Sequence, residues 1–505
     1  MITAIWRSAV LWAALCSALH AGDTLSFCPG PDERYRSPLY EVRSADGEPA
    51  FVYHRENGWK RVPDKDGNTW PLPVMSADNH WVGLSADGDV QLTIRAIGIK
   101  AKTAELLPSR PGNTAMVAAD GSVRVKLKLS AEHPGYYFVR INGLHGDMHP
   151  LFIFADPPET NVPVQGPGVH FFGPGVHDIG PHYAVKTGET VYLAPGAVVR
   201  GTITARGANV RICGRGVLSG ELMQDEWMRH NRGLVAKPQD ARGAWGIAPM
   251  VWNEEHGGST TVEGITIIDA PSYNLMFFGR FAVSNVKLLS WNYSTDGVSG
   301  GPGVVEQCFC KVNDDVFTLY CSGRTIRNVV IWKQMNQAVF QLGYGYSQEV
   351  KDILAEKIEI IRDETETQNG HRGIIVLCAS KGCRFNNVGF EDIRIHGDTL
   401  NLLAIDNLDQ DTPWSAKVEN VTLRDIDLTL RRVTVTGTER GRWWGPFMDR
   451  NDRQDQPVRS RLRTADPGTI RVLFDDVSIN GVRLRSDKDF PHGLETHGDV
   501  RLEFR

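Results

Sequence analysis

Two rhythms of apolar and polar residues divide the chain. From about Leu25 to Pro158 the runs are short and alternating. Ser122-Val-Arg-Val-Lys-Leu-Lys-Leu129 sets Val123, Val125, Leu127 and Leu129 on one face and basic residues on the other. Successive residues of a strand point to opposite faces, so this pattern predicts a half-buried strand. Gly135-Tyr-Tyr-Phe-Val-Arg-Ile141 and Leu151-Phe-Ile-Phe154 follow, with turn residues between the runs. Several such strands at short spacing predict a β-sandwich over residues 22–158. The Pro-rich, polar segment Ala155-Asp-Pro-Pro-Glu-Thr-Asn161 reads as a linker.

The second rhythm starts near Val191-Tyr-Leu-Ala-Pro-Gly-Ala197. Here a unit of the form apolar-x-Asn-Val recurs as Val262-Glu-Gly-Ile, Val283-Ser-Asn-Val, Val305-Glu-Gln-Cys, Ile326-Arg-Asn-Val and Val350-Lys-Asp-Ile. The unit starts are 21, 22, 21 and 24 residues apart. Phe385-Asn-Asn-Val and Val418-Glu-Asn-Val follow at wider spacing. A period of this length with several short strands per unit is a solenoid signature. The Leu-x-x-Leu-x-Leu frame of leucine-rich repeats is missing, and the expected fold for residues 159–505 is a right-handed parallel β-helix. The whole chain is therefore expected to be all-β. Residues 438–467, with Trp443, Trp444 and many Arg, break the rhythm and read as a surface insertion or a loop over a cleft.

Composition narrows the function. With 505 residues the chain is too long for one ordinary core. A net charge of −5 without a basic stripe gives no footprint for nucleic acid or an anionic membrane. Arg7, the apolar run Ala9 to Leu19 and the small residues Ala21-Gly22 have the order of a secretory signal peptide, assigned to residues 1–21. The run is too short to span a membrane comfortably, and no lipid anchor is expected, so the mature chain would be secreted or periplasmic. Cys378 and Cys383 are close enough to bridge, whereas Cys308, Cys310 and Cys321 lie in apolar strand patterns and read as small core residues. No Cys/His spacing resembles a zinc site, and no metal or cofactor is expected.

The candidate chemistry interrupts the second rhythm. Ser294-Thr-Asp-Gly-Val-Ser-Gly300 and, one repeat later, Val312-Asn-Asp-Asp-Val-Phe317 place Asp296, Asp314 and Asp315 in turn-like positions between apolar strands. Turn preference accounts for any one Asp. Three together repel one another and raise at least one pKa, which gives the protonated acid and ionised base that glycosidic hydrolysis needs. Strand neighbours face opposite ways, so presenting both Asp314 and Asp315 to a cleft requires a bend between them.

These stretches resemble glycoside hydrolase family 49, the dextranase and isopullulanase family. The resemblance rests on Val191-Tyr-Leu-Ala-Pro-Gly-Ala197, Gly214-Arg-Gly-Val-Leu-Ser-Gly-Glu221, Ala270-Pro-Ser-Tyr-Asn274, Ser294-Thr-Asp-Gly297 and Val312-Asn-Asp-Asp315. Ile331-Trp-Lys-Gln334 and Phe340-Gln-Leu-Gly343 complete it. It covers Val191 to Gly343 well and fades after about Lys351. It implies a sandwich followed by a β-helix of the pectin-lyase-like kind, and endo-hydrolysis of an α-1,6-glucan by inversion. By motif the family's catalytic aspartates fall on Asp296, Asp314 and Asp315. The resemblance makes Asp314 the general acid and the other two the groups that activate water.

Three further readings stay open. Polygalacturonases share the helix and the Asp pattern, but their Gly-His-Gly and Arg-Ile-Lys motifs are missing, and Arg394-Ile-His396 only partly echoes the second. Lyases of similar fold use Lys or Arg bases and often Ca²⁺, which the Asp triad does not favour. A non-catalytic carbohydrate-binding solenoid would have no need of three mutually repelling carboxylates. Around the triad, the candidate substrate-binding residues are Trp252, Asn253, Asn274, Trp332 and Lys333. Trp252 would stack on a glucose ring or fill core. Asn274 would belong to the site or to an Asn stack inside the coils. Lys333 would bind a sugar hydroxyl and balance the carboxylate charge, or be a solvated strand-edge Lys.

Overall fold

A computed structural model of the chain describes residues 24–58, 76–224, 249–336, 338–344, 349–365, 373–378, 383–406, 415–430, 460–491 and 493–505. The expected signal peptide and most of the 438–467 segment lie outside the described residues, as does the side chain of Cys378 in the suggested Cys378–Cys383 bridge.

The alternating runs of the first part form two sheets. One joins Tyr40–Ser44, Val90–Ala96, Val123–Leu127 and Thr114–Val117. The other joins Thr24–Phe27, Asp78–Asp87, Leu151–Asp156, Gly135–Ile141 and Ala104–Leu107, with Tyr53–Glu56 added beside Asp78–Asp87. Val42, Leu92 and Val125 of the first sheet meet Val82, Leu84, Val139 and Ile153 of the second in one core. The strand Leu151–Asp156 runs two residues into the stretch read as linker. Asp156 is buried there and accepts a 2.7 Å hydrogen bond from Lys287, a long-range partner that no local pattern reveals.

From Val169 onward a single sheet system of parallel strands winds to Phe504, and the all-β expectation of a sandwich followed by a right-handed parallel β-helix holds. A representative coil has three sides, Arg280–Ser284, Lys287–Tyr293 and Val298–Gly300. Inward Val, Ile, Leu and Phe side chains stack coil on coil into one continuous core. Val262 pairs with Val283, Val283 with Val305, and Val305 with Ile326, so the repeat stacks in register.

The backbone explains why the repeat has its third-position residue. Gly264, Asn285, Gln307 and Asn328 all have φ between 53° and 79°, the left-handed region in which the chain turns from the first side to the second. Gly and Asn enter that region at least cost, so the unit is a corner signature. The expected continuation at Val350 is corrected by the register. Ile326 pairs with Ala355, whereas Val350 pairs with Phe385 and Phe385 with Val418. The strand Glu349–Asp363 turns two left-handed corners, at Asp352 and Lys357. Lys357 continues the earlier corner column. Asp352 founds a second one, carried on by Asn387 and Asn420.

The outer face of one sandwich sheet packs on the second side of the β-helix. Tyr53, Trp81, Phe138, Phe152 and Phe154 meet Val217, Ile268, Leu289, Phe309, Val330 and Trp332 in an apolar seam. Ion pairs border it. Lys287 binds Asp156, Arg55 binds both Asp269 and Glu221, and Lys311 donates to Ser76 Oγ at 2.5 Å and to Asn79 Oδ1. No helix among the described residues is long and apolar enough to cross a membrane.

Candidate active site

All three aspartates sit in corners, where strand alternation does not apply. After the strand Lys287–Tyr293 the chain passes through Ser294–Gly297 to Val298–Gly300. One coil on, Gly303–Asn313 passes through Asp314–Val316 to Phe317–Thr318. The second corner is one residue shorter. Gly297 N–H donates to the Asp315 carbonyl at 2.9 Å and Asn274 N–H to the Asp296 carbonyl at 2.8 Å. Asp296 and Asp315 thus occupy equivalent places in successive coils. The sequence alone left their relative offset open. A glycine follows Asp296 because a Cβ at Gly297 would stand 2.4 Å from the Val316 carbonyl oxygen.

The shorter corner brings Asp314 to the same point from one position earlier. Its Oδ2 accepts from Ser294 N–H at 2.8 Å and from Asn336 Nδ2 at 2.9 Å, and its Oδ1 from Asp315 N–H at 3.0 Å. Asp315 Oδ1 accepts from Ala338 N–H at 3.0 Å. One oxygen from each of the three carboxyls lies within 4.8 Å of the others, and all three residues are under 10% exposed, at 5, 9 and 7% for Asp296, Asp314 and Asp315. The separation is smaller than the about 6.5–9.5 Å expected between an inverting acid and base. Buried amides brace the corners: Asn313 Nδ2 donates to Trp291 O at 2.9 Å, and its Oδ1 accepts from Asn336 N–H at 3.1 Å.

Burial pushes the Asp296 carboxyl well above the usual carboxylate range, and the charges of Asp314 and Asp315 push it further. Burial and Asp314 raise Asp315 likewise, opposed by the Ala338 N–H and by Lys333. The cluster therefore retains protons at a pH where an exposed Asp would not, and its members titrate together. Three clustered carboxylates would also suit a hard cation. Asp314, however, already faces three N–H donors, which repel one.

The other sequence candidates separate clearly. Trp252 is half-buried on the strand Val251–Asn253 and follows the register Trp252, Met276, Ser299 along the third side. It lies two strand spacings, about 10 Å, from Ser299. Asn253 is buried and committed to Gly207 O, Thr260 Oγ1 and Glu255 N–H, so it shapes a turn. Asn274 is fully buried, donates to the carbonyls of Thr295 and Asp296 and accepts from Ser290 Oγ. It holds the backbone of Asp296. Trp332 is not in the cleft. It is fully buried in the seam, edge-on to Phe138 and Phe152 at centroid distances of 4.9 and 5.6 Å. Lys333 is also fully buried, donating to Gln334 O at 3.1 Å and to Thr365 Oγ1, so it acts on Asp315 by charge from beneath the surface.

Sequence reasoning missed Asn336 and a row of polar side chains beside the triad. Ser299, Thr318 and Gln341 follow Asp296, Asp315 and Ala338 by three residues each, and Thr318 pairs with Gln341 across the sheet. Ser299 Oγ, Thr318 Oγ1 and Gln341 Oε1 are buried without a hydrogen-bond partner. Their signal was present as polar residues at outward positions of three successive short strands.

A parallel β-helix with three carboxyls gathered in adjacent corners fits the class of β-helix glycoside hydrolases. The comparisons point within that class. The chain is 24% identical over 325 residues to isopullulanase from Aspergillus niger, covering 57% of this chain and 53% of that protein. It is 31% identical over 182 residues to a dextranase from Talaromyces minioluteus, covering 34% and 29%. Matching stretches thus span about half or less of these relatives. In fold it is similar to Dex49A from Penicillium minioluteum, with a TM-score of 0.75 at 17% identity over 96% of this chain and 99% of that one. No family model matches the chain. The relatives bear out the resemblance to glycoside hydrolase family 49.

Proposed function

We propose that this protein is an exported glycoside hydrolase that cleaves an α-linked glucan internally, with Asp296, Asp314 and Asp315 as its acid–base groups. The observation that carries the reading is the convergence of three buried carboxyls from two successive corners. Burial and mutual repulsion there retain a proton for the leaving oxygen. The resemblance to family 49 makes Asp314 the group that delivers the proton, and the three N–H groups that donate to its carboxyl stabilise the carboxylate left behind. Asp296 and Asp315 orient and deprotonate the water, which requires one of them to be ionised. With two carboxyls flanking the water, the compact triad replaces the wide opening of a simple acid–base pair, and the anomeric centre inverts. The half-buried Trp252 offers a ring face for a sugar some distance along the same side, and Ser299, Thr318 and Gln341 offer unspent hydrogen bonds between.

Lys333 and Trp332, placed in the protein interior, have no direct part in binding. The similarity to proteins named dextranase and isopullulanase supports an α-glucan substrate, and the α-1,6 linkage rests on the dextranases alone. Reducing-end release from dextran, pullulan and polygalacturonate tests the whole reading. Activity on dextran or pullulan is expected, exclusive action on polygalacturonate would replace the substrate, and inactivity on all three would return the chain to the binding-protein reading.

A further inference from the structure

The third side of the solenoid carries an outward row of side chains past the triad. Val298, Phe317 and Phe340 pair coil on coil and face the core, so Ser299, Thr318 and Gln341, each the next residue, face out. The row begins with Trp252 and Met276 and runs on after Gln341 to Val376 and Ala404. From Trp252 to Ala404 it is apolar except at the three positions that accompany the aspartates. Ser299 lies in the coil of Asp296, Thr318 in that of Asp314 and Asp315, and Gln341 in that of Asn336, whose amide holds Asp314.

Packing does not explain the polar interruption. All three side chains are almost fully buried, and Ser299 Oγ, Thr318 Oγ1 and Gln341 Oε1 have no hydrogen-bond partner. Hydroxyls and amides carry no charge, so no ion pair stands in for the missing bond. Such orphaned groups weaken the folded state, and Ala, Val or Leu would serve a merely packed row better. Gln341 shows what is missing. Its Nε2 donates to Gly343 O at 2.9 Å, which fixes the amide and leaves Oε1 as a bare acceptor. The absent group there is a donor, while the hydroxyls of Ser299 and Thr318 can donate or accept. The aspartates are nearly as buried, so a substrate that reaches them also reaches the row.

On the reading of the protein as a glucan hydrolase, we propose that Ser299, Thr318 and Gln341 are specificity-determining residues that bind ring hydroxyls of the sugars on either side of the scissile bond. The rungs of this ladder stand one strand spacing apart, so it spans about 10 Å along the solenoid axis, the reach of two linked pyranose rings. It selects uncharged sugars at these positions. A uronate carboxylate has no proton to give Gln341 Oε1 and would stand against the carboxyl triad. The apolar neighbours Met276 and Val376 mark where hydrogen-bonded contact stops. The rival arrangement is a structural row completed by ordered water.

The test compares variants of the full-length chain with the wild type. Thr318→Val keeps the shape of the side chain and removes only the orphaned hydroxyl. Its ligand-free Tm should equal or exceed that of the wild type, while KM for dextran rises about 2- to 10-fold and kcat changes less. Ser299→Ala should behave alike, and Gln341→Leu should raise KM by a similar factor. Isomaltose should compete with dextran in the wild type, and digalacturonate should not. Unchanged KM in the variants, or a Thr318→Val chain whose Tm falls as though a bond had been lost, would overturn the ladder and leave the glucan reading standing. Equal competition by digalacturonate would overturn the selection of uncharged sugars. A wild type that hydrolyses no neutral glucan would remove that reading, and the ladder with it.

Discussion

Asn336 donates its side-chain N–H to Oδ2 of Asp314 at 2.9 Å, reaching from the coil after the one that carries the aspartate. The same residue's backbone N–H is held by Asn313, the neighbour of Asp314. The amide is thus fixed at both ends, and the Asp314 carboxyl is aimed by it.

Replacing Asn336 with Ala should therefore lower kcat far more than it raises KM. Hydrogen bonds to charged groups contribute about 1.5–3 kcal/mol, which corresponds to about 10- to 100-fold in rate. Steady-state kinetics on dextran, beside a thermal melt showing an intact fold, provide the check. An unchanged kcat would remove Asn336 from the machinery.

Asp314→Asn should abolish hydrolysis of glucan yet spare more activity on an α-glucosyl fluoride, whose leaving group needs little protonation. Asp296→Asn and Asp315→Asn should impair both substrates alike, since water must still be activated. NMR of the earliest products should show the β-anomer. Initial release of the α-anomer would mean that the short carboxyl spacing reflects retention.

The triad also has a cost in stability with a definite sign. Asp296 has a folded pKa raised well above its ordinary 3.8. Between those two values the folded state holds a proton that the unfolded state has released, so stability falls as pH rises. Asp296→Asn should accordingly melt at a higher temperature than the wild type at neutral pH. The difference should vanish once the pH drops below about 3.8, where both states are protonated. A variant less stable at pH 7 would contradict the raised pKa.

Lys333 should move the pH profile without touching substrate. Its charge holds the Asp315 carboxyl lower than burial alone would. Removing it in Lys333→Met raises Asp315 further, so the ionised base is lost at a higher pH. The acidic limb of kcat/KM should shift upward, while KM near the optimum stays close to that of the wild type. Some stability should be lost, because a buried ionic neighbour of Asp363 disappears, a change that costs about 3–5 kcal/mol in unfavourable cases. A limb that stays in place would show that Lys333 is structural only.

What the sequence revealed and what it hid follow from how far each signal reaches along the chain. Alternation and the 21- to 22-residue repeat are local and periodic, so sandwich, solenoid and the register Val262–Val283–Val305–Ile326 were legible. The corner tetrapeptide was legible too, but not which corner it marks, and the Val350 unit was placed in the wrong column. The aspartates were found because three carboxylates in apolar surroundings need a chemical reason. Trp332 and Lys333 were misplaced because a strand shows which residues alternate, not what covers its outer face. Here the sandwich covers it.

The seam between sandwich and solenoid bears on how such a protein can change over time. Phe309 and Trp332, which press on Phe138 and Phe152, belong to the two strands that lead into the corner of Asp314 and the loop of Asn336. The N-terminal unit is the rear wall of the reactive coils. Recombination that exchanged one half for a distant homologue's would leave indole and phenyl rings in water and loosen the aspartates in the same stroke. The two halves are bound to be inherited together. Novelty in substrate choice then has to arise on the opposite side, where Trp252, Ser299 and Thr318 can vary without disturbing that wall.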